Sequence, residues 1–153
     1  MLRCLYHLAR GLIVVVRLFL AAVFILSALG KIQYPYDFLW SVYDYELVGR
    51  TAGVFVAWCI PWLELVVGVM LVGGVMQCGA SLLALILLAS FTFAKLSVLA
   101  RGLRIPCGCF GRPSAEMVDA REVVITGLLL AGAATVLLFA VFASRRRSAL
   151  LER

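Results

Sequence analysis

The sequence predicts an all-α integral membrane protein that folds as a four-helix bundle, with residues 1–153 forming one domain. Three observations predict this class. Hydrophobic residues make up 65% of the chain, and its mean hydropathy is +1.09, whereas a soluble domain of this size needs far more polar surface. Only 14% of the residues are charged. These charges cluster at the ends of apolar runs, each of which reaches the roughly 20 residues that a membrane-spanning helix requires.

Four apolar runs predict the spans, and each of them contains at most one charged residue. Glycines and Gln77 favour a tight turn at residues 76–78, between the second and third runs. Longer loops are expected over residues 31–50, which are rich in Tyr, Trp and Asp, and over residues 101–121. The predicted helices cover about residues 11–30, 52–76, 79–100 and 123–144.

The basic residues predict the orientation. Four spans place both termini on one side, and the run Arg145–Arg147 lies directly after the last span. The positive-inside rule then puts the N and C termini in the cytoplasm and the two longer loops outside. The loops carry a similar number of basic residues, so the density of this run decides the assignment. The basic start of the chain resembles a signal peptide, but Arg17 interrupts its apolar run, and an uncleaved first helix is expected.

The net charge of +6 does not indicate nucleic-acid binding. A nucleic-acid footprint needs a continuous basic face on a soluble surface. Here the basic residues flank apolar runs, where anionic lipid headgroups meet them. The lipid bilayer is therefore the partner that the charge pattern predicts.

The most informative motif is Cys107-Gly108-Cys109 in the second long loop. Two thiols separated by one residue close only a small ring, and Gly108 supplies the backbone freedom that such a ring needs. A disulfide here would be strained and therefore easily reduced, which suits thiol–disulfide exchange. Three nearby arginines would favour the thiolate, the reactive form of the thiol. They are Arg101, Arg104 and Arg112.

Other interpretations of the cysteines stay open. Cys107 and Cys109 could be unpaired loop thiols or half of a metal site. A zinc site needs four ligands, and His7 is the only histidine, so no metal is expected within one chain. Cys4 and Cys78 are expected to be inert. Cys59 is expected to be a packed apolar residue, with a relay thiol as the alternative.

Charged residues inside a bilayer are costly and are usually paired or functional. Glu64 cannot reach the headgroups from its depth in the second span, so it needs a partner. Arg17, Lys31 and Lys95 are the candidates. Ser27 and Lys31 lie four residues apart on one face of the first helix. A buried structural ion pair is one interpretation, and a proton or quinone site is the other.

Several segments carry a family resemblance. Residues 17–31, followed by Pro35 and Phe38, resemble the opening of the DoxX-like membrane proteins, and residues 60–68 resemble their second-helix signature. Ser27-Ala28 departs from the family pattern, in which a small residue is usually followed by Gly. The segments that resemble the MauE branch specifically are Arg101-Gly102, Cys107-Gly108-Cys109-Phe110-Gly111 and Arg121, which opens the fourth helix.

The resemblance implies a multi-pass protein of the bacterial inner membrane. MauE proteins are linked to the maturation of methylamine dehydrogenase and are thought to act with a periplasmic thioredoxin-like protein. The first hypothesis is therefore a membrane thiol–disulfide oxidoreductase component that uses Cys107 and Cys109. The supporting residues would be Arg101, Arg104, Arg112 and Arg121.

No cofactor is evident from the sequence. A quinone would be the natural acceptor if electrons enter the membrane, although no quinone motif is present. The alternative hypothesis is a non-catalytic scaffold or anchor for a partner protein, in which Cys-Gly-Cys is a structural turn. A small-molecule transporter is a third interpretation, but four short helices leave little room for a transport path.

Overall fold

A computed structural model describes residues 2–103, Ile105, Cys107 and residues 118–151. This part of the chain is all-helical, and it contains four helices that are long and apolar enough to cross a membrane. The prediction of an all-α protein with four candidate spans is confirmed. The helices are α1 (Leu2–Gln33), α2 (Pro35–Asp44), α3 (Arg50–Gly73), α4 (Gln77–Ala100) and α5 (Ala120–Leu151). The candidate spans are Arg10–Gln33, Arg50–Gly73, Gln77–Ala100 and Ala120–Arg145.

The short helix α2 corrects the sequence prediction, which placed a loop over residues 31–50. Pro35 disfavours helical backbone at Tyr34, which has φ −126° and ψ 65°, so α1 ends at Gln33. Pro35 is itself suited to the first turn of a new helix, where its missing N–H is not needed. Phe38 and Ser41 are buried on one face of α2, which packs against α3.

A tight turn joins α3 to α4 within residues 74–76, two residues earlier than predicted. Gly74 has φ 65° and Met76 has φ 47°, so the chain reverses through two left-handed residues. Arg17 lies beside this turn, since a methyl group built on Gly74 would lie 3.0 Å from Arg17 Nη1. We call this end of the bundle the turn end. The opposite end, which holds residues 45–49, 101–103, Ile105, Cys107 and residues 118–119, is the loop end.

The bundle is built from two closely packed pairs of helices, α1 with α3 and α4 with α5. A small residue allows the first pair to approach closely. A methyl group built on Gly68 of α3 would lie 2.6 Å from Ile25 Cγ1 and 3.2 Å from the carbonyl oxygen of Ala21. Small residues serve the same purpose in many membrane proteins, where packing rather than hydrophobic burial drives helix association. The main core includes Leu20, Phe24, Val67, Leu71, Leu88 and Val136.

Large apolar side chains cover the outside of the bundle. Trp58 is 64% exposed, Trp62 is 55% exposed and Phe93 is 67% exposed. A soluble protein rarely leaves so much contiguous apolar surface in water. These side chains therefore face lipid in a multi-pass membrane protein.

A second, smaller core lies at the loop end. Its buried members are Val98, Cys107 and Val118, with Tyr45, Leu103 and Ile105 packed against them. The N–H of Val118 donates to the carbonyl oxygen of Ile105 at 2.9 Å. This hydrogen bond holds together the two ends of the segment that carries the Cys-Gly-Cys motif.

We expect Gly68→Ala to destabilise the bundle, because the new methyl group would push α1 away from α3. The cost should be about 1–3 kcal/mol, as for other overpacked cores. Unfolding in mixed micelles with increasing dodecyl sulfate, followed by circular dichroism, measures it. Gly127→Ala is the matched control, because no atom lies within 4 Å of its added methyl group. Equal stability of the two variants would contradict the close approach at Gly68.

Candidate functional site

A buried polar cluster joins α1 to α3 near the middle of the bundle. Lys31 Nζ lies 2.5 Å from Glu64 Oε1, and these side chains are only 2% and 1% exposed. Lys31 also donates to Ser27 Oγ at 2.9 Å, and the Ser27 hydroxyl donates to Glu64 Oε2 at 3.2 Å. The spacing of four residues places Ser27 and Lys31 on one face of α1. Both carboxylate oxygens of Glu64 therefore accept hydrogen bonds from α1.

This cluster settles which of the three candidate cations pairs with Glu64. Lys31 is the partner, and its ammonium group also lies 4.7 Å from the ring centre of Phe91. Arg17 lies at the turn end, and Lys95 belongs to a second cluster. The prediction of a buried ion pair is confirmed in its geometry, while the further role of this pair stays a prediction.

The second polar cluster joins α4 to the start of α5 near the loop end. Lys95, which is 4% exposed, donates to Thr126 Oγ1 at 2.7 Å and to Glu122 Oε2 at 3.2 Å. The Thr126 hydroxyl in turn donates to the carbonyl oxygen of Glu122 at 2.8 Å. The second intramembrane lysine is thus satisfied by a carboxylate and a hydroxyl that lie one helical turn apart.

Cys107 belongs to this second cluster. It is 7% exposed, and its thiol donates to Glu122 Oε2 at 3.6 Å, the oxygen that also accepts from Lys95. Its carbonyl oxygen accepts a hydrogen bond from the Tyr45 hydroxyl at 3.2 Å. Glu122 Oε2 therefore contacts both the thiol and the Lys95 ammonium group, and a carboxylate in this position can accept a thiol proton.

The predicted supporting arginines have different environments. Arg101 donates to the carbonyl oxygen of Tyr45 at 2.5 Å and lies 3.7 Å from the carboxylate of Glu46. Arg101 is therefore linked to Cys107 through Tyr45, whose hydroxyl donates to the carbonyl oxygen of Cys107. Arg121 is exposed on the first turn of α5. Cys109, Arg104 and Arg112 lie outside the described residues, and their predicted roles stay predictions.

The structure describes the side chains of two other cysteines, Cys59 and Cys78. Cys59 is exposed on the outer surface of α3, where it faces lipid, so the expectation of a packed interior residue is wrong. The period of the helix explains this: the buried face of α3 near that level carries Ala57 and Pro61. Cys78 is half-buried near the turn end, and the side chain of Cys4 lies outside the described part of the chain.

Sequence reasoning missed Glu122, Thr126 and Tyr45. Glu122 and Thr126 are four residues apart, which is the spacing of two side chains on one helix face. That signal was present, but Glu122 lies at the edge of an apolar run, where a charge is ordinary. Tyr45 lies in a stretch that is rich in aromatic residues, and nothing in its sequence context indicates a bond to residue 107.

A cavity of about 520 Å³ lies between the two polar clusters. All five helices contribute to its walls, which are mainly apolar and include the rings of Phe24, Phe38 and Phe91. Both lysines, both glutamates, Ser27, Thr126 and Cys107 also line it. Its volume is in the range of small-molecule binding sites. Among the residues that the structure describes, no three His, Cys, Asp or Glu side chains cluster as metal ligands.

Comparisons with known proteins point to the family that the sequence resembles. The model of the family described as methylamine utilisation protein MauE matches residues 9–142. The MauE of Paracoccus denitrificans is 34% identical over 120 residues, which cover 75% of this chain and 64% of that protein. The MauE of Methylophilus methylotrophus is 32% identical over 116 residues, which cover 75% and 61%. The chain thus spans less than two thirds of the length of these relatives. No solved structure gives a significant match.

We expect Lys31→Met and Glu64→Gln to destabilise the bundle when made singly. Each removes one member of a buried ion pair and leaves the other without its counter-charge, at a cost of about 3–5 kcal/mol. The double variant should recover most of that loss. A double-mutant cycle of unfolding free energies in mixed micelles measures the coupling. Glu46→Gln, which breaks the exposed pair with Arg101, is the control and should cost less than about 1 kcal/mol. Additive losses at positions 31 and 64 would contradict the pair.

We expect Glu122→Gln to slow the reaction of Cys107 with a maleimide, because an amide cannot accept the thiol proton. The loss should be about tenfold or more, within the range of general base contributions. The rate of alkylation is measured in a background in which the other four cysteines are Ser. Glu46→Gln removes an exposed carboxylate at the same end of the bundle and should leave the rate unchanged. An unchanged rate in Glu122→Gln would show that this carboxylate does not activate the thiol.

Proposed function

This chain belongs to the family of methylamine utilisation protein MauE, and on that premise we propose that it is a membrane thiol–disulfide component that supports the maturation of a periplasmic protein. Methylamine dehydrogenase is the client that the family suggests. Cys107 and Cys109 would exchange with a periplasmic thioredoxin-like protein.

The observation that carries the proposal is the contact between the Cys107 thiol and Glu122, beside Lys95. Attack of a thiolate on a partner disulfide forms a mixed disulfide and releases one thiolate of the partner. The second cysteine of the motif then breaks the mixed disulfide and closes the Cys107–Cys109 bond. One disulfide forms for each that breaks, so the exchange itself requires no other oxidant. The reverse sequence oxidises the partner and leaves Cys107 and Cys109 as thiols.

The location follows from the same proposal. With both termini in the cytoplasm, as the Arg145–Arg147 run favours, the loop end faces the periplasm of a bacterial inner membrane. Cys107 then lies near the membrane surface, on the side where a soluble thioredoxin-like partner can reach the segment that carries it. Arg121, which is exposed at the same end, would contact that partner.

A second candidate function is a scaffold that anchors a partner without redox chemistry. The observation that favours it is the burial of Cys107 with Val98 and Val118 in the small core of the loop end. A cysteine in such a place also acts as a small apolar residue. In this case the Cys-Gly-Cys motif is a structural turn.

We expect Cys107 and Cys109 to be labelled in intact cells by a membrane-impermeant maleimide only after mild reduction. Such a result requires a reducible disulfide on the outer face. Mass spectrometry of the labelled peptide measures it. Full labelling without reductant, or no labelling in either state, would contradict the exchange mechanism.

Variants separate the two functions. Cys107→Ser with Cys109→Ser should abolish client maturation, whereas either single change should trap a mixed disulfide with the thioredoxin-like partner. Cys78→Ser is the matched control and should mature the client normally. Normal maturation in the double variant would establish the scaffold instead.

A further inference from the structure

We propose that the cavity between the two polar clusters binds a membrane-soluble quinone, which accepts the electrons of the reduced Cys-Gly-Cys motif. This inference rests on the proposed thiol–disulfide function and names its electron acceptor. Exchange between disulfides creates no new disulfide, so net oxidation of a client requires an acceptor for two electrons. Cys107 and residues of the membrane-spanning helices line this cavity together.

The electrostatics of the cavity favour an uncharged ligand. Its two lysines are already paired, Lys31 with Glu64 at 2.5 Å and Lys95 with Glu122 at 3.2 Å. A charged ligand would therefore meet no uncompensated opposite charge there, and it would have to lose its hydration shell. The remaining walls are apolar, so a neutral and largely apolar molecule fits them.

The polar groups of the cavity suit a ring that carries carbonyl oxygens. Lys31 donates to Ser27 and Glu64, which leaves one of its three N–H groups for a carbonyl oxygen of the ligand. Few and well-placed donors in an apolar pocket are the usual means of orienting a small molecule. The rings of Phe24, Phe38 and Phe91 offer aromatic faces and edges against which a flat ring packs.

Two residues of the outer surface of the bundle also line the cavity. Phe93 and Ile125 line it, yet they are 67% and 40% exposed on the outer surface of the bundle. Both lie within candidate spans, so this surface faces lipid. A quinone that is dissolved in the membrane could enter past these side chains without crossing the loop end.

The redox step balances without a further reactant. Two S–H bonds break and one S–S bond forms between Cys107 and Cys109. Two electrons and two protons pass to the quinone, whose two carbonyl oxygens become the hydroxyls of a quinol. Glu122 accepts the proton of Cys107, and both residues line the cavity in which the ligand binds.

The test uses the full chain in lipid nanodiscs and a decyl-substituted benzoquinone as the probe. Ala94 lines the cavity, so Ala94→Phe should fill it and weaken probe binding by about tenfold or more. Ala89→Phe, on the exposed face of the same helix, is the matched control and should bind like the unaltered protein. Ile60→Phe fills the cavity from α3 and replaces Ala94→Phe if that variant does not fold. Binding no greater than to empty nanodiscs, or equal binding by all variants, overturns the inference.

A second readout separates this inference from the function on which it rests. The dithiol form of the unaltered protein should convert the probe to quinol, and the variant with both Cys107→Ser and Cys109→Ser should bind the probe without converting it. Binding without any quinol from the reduced protein overturns the inference. Exchange with a thioredoxin-like partner by a protein that binds no probe also overturns it, and leaves the proposed function standing. Quinol formation without such exchange overturns the proposed function alone.

Discussion

A charged side chain within the hydrocarbon of a bilayer must have a counter-charge and hydrogen-bond partners, and this requirement determines how the helices of this bundle meet. Lys31 and Glu64 lie on different helices, and each is nearly inaccessible. Their pairing fixes the rotation of α1 relative to α3, because turning either helix would carry one charge into lipid. Lys95 and Glu122 impose the same condition on α4 and α5. Each of the two closely packed helix pairs thus has its own internal ion pair.

The positions of the two ion pairs explain why the bundle contains a cavity toward the loop end. Lys31 draws α1 against the middle of α3, and the chain then breaks at Pro35, so the next segment is the short helix α2. Close packing of α1 with α3 at Gly68 leaves the core dense toward the turn end. Toward the loop end, the side chains of both ion pairs line a common space. The apolar side chains of the two helix pairs do not fill that space. The cavity is therefore a result of where the charges lie.

Much of this architecture could be predicted from the sequence, because hydrophobic length alone identifies the four spans. The depth of Glu64 and the spacing of Ser27 and Lys31 indicated a buried polar cluster. Choosing Lys31 over Arg17 required the relative heights of two helices, which no local pattern encodes. Helix α2 was missed because its aromatic and acidic residues are typical of a membrane interface in any backbone conformation. Glu122 was missed because its partner is 27 residues away, and the cavity because it depends on packing between all five helices.

The hydrogen bond between Val118 and Ile105 has a consequence for how such a protein diversifies. Since Ile105 and Val118 are bonded to each other, the stretch between Cys109 and Val118 can change length or composition while the anchoring residues keep their positions. Loop closure becomes only slowly more costly as a loop grows. This stretch can therefore change, in evolution or by design, to recognise a different partner. The helices that anchor the protein in the membrane do not need to change with it.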